Sequence, residues 1–182
     1  MAVDRNQILN AAASLLARRS TAPMDEVARA AGISRATLNR HFAGRDALVL
    51  ALQELGIARC EEALDAARLE DGSTEEALRR GIQELAPSAD LINFLYCESQ
   101  LFEPEHHHEG WDRIDARLTE FFRLGQQRGD LRIDLSPAWL TEALYGLLGS
   151  AAWAITDGRL ARKDFTFMVS ELLLGGARKQ GS

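Results

Sequence analysis

Apolar residues recur along this chain at intervals of three and four, and no segment sustains the two-residue alternation of a half-buried strand. From Asp4 to Arg19, Ile8, Ala12, Leu15 and Leu16 share one helical face. Asp4 stands at the end where an acid suits the helix dipole, and Arg18 and Arg19 stand at the end where cations do. Ser20, Thr21 and Pro23 break the pattern. A short second helix follows over Met24–Ala31, with Asp25 and Glu26 in its first turn and Gly32 as its stop. Ser34 is placed to cap a third helix from Arg35 to about Phe42. Asp46 to about Leu69 reads as one long helix carrying Leu48, Leu52, Leu55 and Leu64. Ser73 and Glu76 match a capping box for a helix from Thr74 to about Leu85. Beyond Pro87-Ser88 comes a helix holding Leu91, Ile92, Phe94, Leu95 and Leu101, interrupted at Pro104. Another runs from about Trp111 to Arg128, with Ile114, Leu118, Phe121 and Phe122 inward. The last two span Pro137 to about Thr156 and about Arg162 to Leu174. The pattern predicts an all-α chain of about nine helices.

The two short helices joined through Ala30-Ala31-Gly32-Ile33-Ser34 carry the signature of a helix-turn-helix. Ala28 and Gly32 are small where the third helix must cross, and Val27, Ala31, Ile33 and Leu38 supply apolar contacts that fix the crossing. Leu38 and Phe42, one turn apart, face inward. That leaves Arg35, Ala36, Thr37, Asn39, Arg40 and His41 on or near the outer surface, behind the cap Ser34. These are side chains suited to base edges and phosphates. Arg45, opening the next helix, adds its charge and that helix's N-terminal amides to a phosphate contact.

Charge sharpens this picture. The chain of 182 residues carries a net charge of −6, which by itself argues against nucleic acid. Residues 1–52, however, hold seven arginines against four acids, net +3, leaving −9 for the remainder. A basic head on an acidic body suggests two tasks in one chain. With 46% apolar residues the chain has enough to bury a core, and fourteen glycines and four prolines are too few for a collagen-like chain or a β-sandwich. The longest nearly uncharged stretch, Ala143–Ile155, has 13 residues where a membrane span needs about 20, so it reads as a buried helix. No apolar leader precedes the first helix, and Cys60 and Cys97 lack metal spacing and read as small core residues of a reducing compartment. A cytoplasmic protein is expected.

The run from Met24 to Phe42, followed by Gly44-Arg45-Asp46-Ala47-Leu48, resembles the DNA-binding domain of the TetR family of bacterial transcriptional regulators over roughly residues 4–52. Asn39 stands where that family usually has Tyr, and Arg45 where Lys is usual. The resemblance implies a helix-turn-helix DNA-binding domain over residues 1–48 and a helical effector-binding and dimerisation domain over 49–182. It also implies a ligand-responsive repressor that binds a palindromic operator of double-stranded DNA as a homodimer. The long helix from Asp46 is then the element linking head to body.

The final helices carry the dimer expectation. Trp139, Ala143, Gly146, Ser150 and Trp153 line one face of the penultimate helix, and Leu140, Leu144, Leu147, Ala151 and Ile155 another. A helix apolar nearly all round must be covered on both sides. The last helix is similarly rich, with Phe165, Phe167, Met168, Leu172 and Leu173. A homodimer through these two helices is expected, with Trp139, Ala143, Gly146, Ser150, Trp153, Phe165, Met168 and Leu172 at the interface; the resemblance implies that it is a four-helix one. Phe94, Tyr96, Phe102, Trp111, Phe121 and Phe122, with Cys97, Ser99 and Gln100, either line a ligand pocket or fill the core. The resemblance implies an effector pocket, for an unnamed small molecule. His106-His107-His108 among Glu103, Glu105 and Glu109 lacks the i, i+4 spacing of a preorganised metal pair, so no metal or cofactor is predicted. No nucleophile elbow, phosphate loop or Cys-x-x-Cys is present, and an enzyme is not expected. The rival reading is a dimeric helical ligand-binding or interaction protein without sequence-specific DNA binding.

Overall fold

Asp4 opens the first helix as an acid ahead of an apolar run should: its side chain accepts the Asn6 backbone N–H at 3.3 Å. The computed structural model describes residues 4–178, apart from the Phe102 side chain. Nine α-helices occur among these residues: α1 (Arg5–Leu16), α2 (Met24–Ala30), α3 (Arg35–His41), α4 (Arg45–Ala67), α5 (Thr74–Leu85), α6 (Ala89–Cys97), α7 (Glu109–Gln127), α8 (Pro137–Thr156) and α9 (Phe165–Ala177). One isolated antiparallel bridge joins Leu131 to Arg178.

The chain divides into two compact units. The first comprises the residues up to Ala58 together with Asp90–His107; the second comprises Arg59–Ala89 and the residues from His108 onward. This differs from a boundary after residue 48. The first part of α4 keeps company with α6 and the turns after it: a Cβ on Gly56 would meet Leu95 Cδ1 at 2.5 Å and force that side chain to shift. Gln53, also on α4, donates to the His106 carbonyl at 3.4 Å.

In the first unit, α1, α2 and α3 enclose Ile8, Leu9, Ala12, Leu16, Val27, Ala28, Leu38 and Phe42. α1 is shorter than its pattern suggested. It ends at Leu16, and the Arg18 and Arg19 amides turn back onto the Leu15 carbonyl, leaving the Arg19 side chain to pair with Glu26 of α2. Gly32 stops α2 as its pattern predicts, but not as a residue kept small for a helix crossing. A Cβ there would meet nothing within 4 Å; what requires glycine is its left-handed φ of +68°, which ends α2 and sets up the Ile33 amide to reach the Ala28 carbonyl at 3.0 Å.

In the second unit α8 packs on α7 and α9, and α5 packs on α9. Ile82, Ile114, Leu118, Phe122, Leu140, Leu144, Leu148, Val169 and Leu174 form the core. The capping box of α5 forms as read, with Ser73 Oγ taking the Glu76 amide. Arg79 on α5 bonds both Glu75, at 2.9 Å, and Glu171 of α9. Arg80 closes the end of α4 by donating from Nε to the Ala67 carbonyl at 2.9 Å.

Candidate nucleic-acid interface

Seven residues make α3, and two buried side chains seat it: Leu38 on the helix and Phe42 at its end. Ser34 caps it, its Oγ accepting the Thr37 amide at 3.1 Å. With that stripe turned inward, Arg35, Ala36, Asn39, Arg40 and His41 are exposed and Thr37 is half-buried. The polar side chains are not independent of one another. Thr37 Oγ1 lies 3.0 Å from Ser34 Oγ and accepts from Arg40 Nη2 at 3.2 Å. A bonded chain thus runs along the helix, and it holds the Arg40 guanidinium against the Thr37 hydroxyl. Arg35 reaches off the helix: its Nη1 donates to Asp25 Oδ1 of α2 at 2.8 Å. Behind this surface the Arg5 guanidinium lies over the Phe42 ring, 5.2 Å from its centroid.

Arg45, the first residue of α4, is more committed than its sequence position implied. Its Nη2 donates both to the Ser20 carbonyl and to Glu98 Oε1, each at 2.8 Å, and the Glu98 side chain is 17% exposed. The pair lines a cleft of about 520 Å³ together with Ser20, Thr21, Ala22, Pro23 and Met24. The sequence placed Asp25 only as an acid of the first turn of α2 and did not single out Glu98. Asp25 lies ten positions from its arginine and Glu98 fifty-three, and no local pattern announces either pairing.

Of the residues expected at a dimer face, Trp139, Trp153, Met168 and Leu172 are 50–66% exposed, as is Phe167. Gly146 and Ser150 are exposed beside them and Ala143 is half-buried. Phe165 departs from the expectation. It is 4% exposed because it opens α9 at the edge of the inward stripe continued by Val169 and Leu173.

The residues proposed for a pocket are distributed differently. In the first unit Phe94 is buried and Gln100 half-buried, whereas Tyr96, Cys97 and Ser99 are exposed. The reason is that α6 stops at Cys97, so Ser99 and Gln100 fall in a short 3₁₀ turn (Ser99–Phe102) rather than on a helix extending to Leu101. Cys97 is therefore not a core residue, while Cys60 is: burial, aided by Glu61, pushes its thiol up to about 12. In the second unit Trp111 is half-buried, and Phe121 and Phe122 are buried edge to face with ring centroids 5.3 Å apart. Phe102, grouped with them from sequence, has its side chain outside the described residues. Two of the three consecutive histidines serve the backbone. His106 Nδ1 donates to the Gln100 carbonyl at 2.9 Å, and His108 Nδ1 accepts the Gly110 amide at 3.0 Å, capping α7.

One polar pair on the flank of the second unit had no sequence signal. Tyr145 Oη donates to Asp115 Oδ1 at 2.7 Å. Burial pushes the Asp115 carboxyl upward, against the pull of that hydrogen bond, and Glu142 and Asp112 push it the same way as burial. Burial and the neighbouring carboxylate also raise the Tyr145 hydroxyl.

A short capped helix seated on two apolar residues and crossing a second helix at a left-handed glycine is the working part of a helix-turn-helix regulator. The model of the bacterial regulatory proteins of the tetR family matches residues 8–52. The chain is 33% identical over 173 residues to the HTH-type transcriptional regulator NfxB of Pseudomonas aeruginosa, covering 94% of this chain and 92% of NfxB. It is 26% identical over 154 residues to the HTH-type transcriptional repressor LfrR of Mycolicibacterium smegmatis, covering 85% and 80%. The structure of the TetR-like regulator LfrR from Mycobacterium smegmatis in complex with proflavine superposes with a TM-score of 0.80 at 26% identity, over 97% of both chains. The chain belongs to the TetR family of bacterial transcriptional regulators, whose members bind DNA and act as dimers with small-molecule effectors. Its relatives are regulators, not enzymes. No described helix is long and apolar enough to cross a membrane.

Proposed function

We propose that two copies of this chain, joined through the exposed apolar face of α8 and α9, present their α3 helices to successive major grooves of a palindromic operator and repress transcription until a small molecule binds. The reading rests on one observation: α3 turns Leu38 inward and leaves Arg35, Asn39, Arg40 and His41 to the outside. One such helix spans too few base pairs for high specificity, and a two-fold pair reads both halves of a palindrome. Ser34, Arg35, Ala36, Thr37, Asn39, Arg40 and His41 are the reading surface in this account, and Arg45 meets phosphate. Such a protein works in the cytoplasm, where the bacterial chromosome lies. The repressor name of LfrR supports the direction of control, and its complex with proflavine supports relief by a small molecule. Relief requires that the effector bind the arrangement unfit for DNA more tightly than the fit one.

Selection of bound fragments from random DNA, followed by fluorescence anisotropy on the enriched sequence, tests the reading. We expect a two-fold symmetric site, affinity that falls steeply with salt, and release when proflavine is titrated in as the probe. Enrichment of no sequence would favour the rival, a dimeric helical binding protein whose head does not read DNA.

A further inference from the structure

Arg35 lies three residues before the buried Leu38, so it leaves α3 on the flank next to α2 rather than at the centre of the outward face. There its Nη1 meets Asp25 Oδ1 at 2.8 Å, with both side chains more than half exposed. Asp25 suits the dipole of α2, in whose first turn it sits, and a surface ion pair of this kind adds little to folding beyond that. Its consequence for recognition is larger. An arginine on a DNA-facing surface with no anchor finds the nearest phosphate, a contact indifferent to sequence. A carboxylate beside it repels that phosphate, cancels the arginine's charge at long range and removes much of its rotational freedom. One of five guanidinium N–H groups is used, and a two-pronged donor edge remains for the O6 and N7 of a guanine.

From this geometry we infer that Asp25 is a positioning residue for operator specificity: it holds Arg35 off the phosphate backbone and aims it at a guanine edge. The inference rests on the proposed DNA-reading function of α3. Asp25 touches no base in this account and acts only through Arg35.

The test measures binding of the full-length chain to its selected operator and to scrambled DNA across a salt series, for the native protein, Asp25→Asn, Asp25→Glu, Arg35→Ala and the double variant. Native protein that prefers no sequence would remove the proposed function itself. Given a preference, Asp25→Asn should bind scrambled DNA about threefold more tightly, steepen the salt slope by roughly one for the added phosphate contact, and lower the operator-to-scrambled ratio about tenfold. Asp25→Glu, which keeps the charge, should recover most of the ratio. In the Arg35→Ala background Asp25→Asn should leave the ratio unchanged. The inference is overturned if Asp25→Asn leaves the ratio intact, or if it moves the ratio equally with and without Arg35, since an acid then acts on DNA by itself. Thermal melts of each variant separate a loss of folded protein from a loss of discrimination.

Discussion

The two units dispose of polarity in opposite ways. In the first, the buried side chains are apolar apart from Gln53, and the arginines of the α3 surface are held by a carboxylate, a hydroxyl or a carbonyl: Arg35 by Asp25, Arg40 by the Thr37 hydroxyl, Arg45 by Glu98 and the Ser20 carbonyl. In the second, tryptophan, phenylalanine, methionine and leucine stand open on α8 and α9, while Thr74, Ser88, Thr141 and Ser170 are buried and Tyr145 is tied to Asp115. A contiguous exposed apolar face marks a surface that another protein covers. A surface of exposed arginines is one that meets phosphate in water. Thus the same property, exposure, carries opposite information in the two halves.

The comparison breaks most visibly if the apolar face is made charged. Trp153→Glu with Leu172→Glu should give monomers by analytical ultracentrifugation and cost on the order of 100-fold in operator affinity, because the second half-site is no longer tethered to the first. Both side chains are more than half exposed, so helicity by circular dichroism should be preserved. Dimers that persist would show the face to be idle. Next in size, Arg40→Ala should lower operator affinity about tenfold to a hundredfold while changing scrambled DNA much less, if its position on Thr37 aims it at a base edge. Smaller again is Glu98→Gln. It frees the charge of Arg45, so binding to every sequence should rise by about threefold and the salt slope should steepen by roughly one, with the operator-to-scrambled ratio unchanged. A changed ratio would give Arg45 a part in reading sequence.

How much of this was legible beforehand follows from how local each cause is. Helix ends were readable where a capping side chain sits three residues from its amide, as at Ser34 and Ser73. The outward residues of α3 were readable because Leu38 and Phe42 fix its inner stripe, and the α8 face because its apolar residues exceed what one core can cover. Phe165 and Cys97 were misplaced because each sits at a helix terminus, where a shift of one or two residues changes which way a side chain points. Gly32 was legible as the stop of α2 but not in its cause: composition announces a glycine, and only the backbone angle distinguishes close packing from a left-handed turn. The partners of Arg35, Arg45 and Tyr145 were illegible because ion pairs and hydrogen bonds between helices have no periodicity.

The Tyr145–Asp115 pair of the second unit gives the smallest effect and the sharpest sign. The Asp115 carboxyl is raised above its ordinary 3.8, chiefly by burial, so the native state holds its proton more tightly than the unfolded chain does. Its contribution to stability is therefore fully present below that ordinary value and is lost as pH rises through the raised one; at neutral pH the ionised carboxylate is a net burden. Asparagine keeps an oxygen to accept the Tyr145 hydroxyl and carries no charge. Asp115→Asn should melt at or above the native temperature at pH 7, by less than about 1 kcal/mol since the residue is open to solvent on one side. On that scale the gain is at most about 2–4 °C, and it should shrink to nothing as the pH falls to that of an ordinary carboxyl. Tyr145→Phe should move the other way, because it removes the one neighbour that favours the ionised form. Native protein more stable than Asp115→Asn above pH 6 would mean that the carboxylate is an asset to the fold, and that the hydrogen bond from Tyr145 outweighs its partial desolvation.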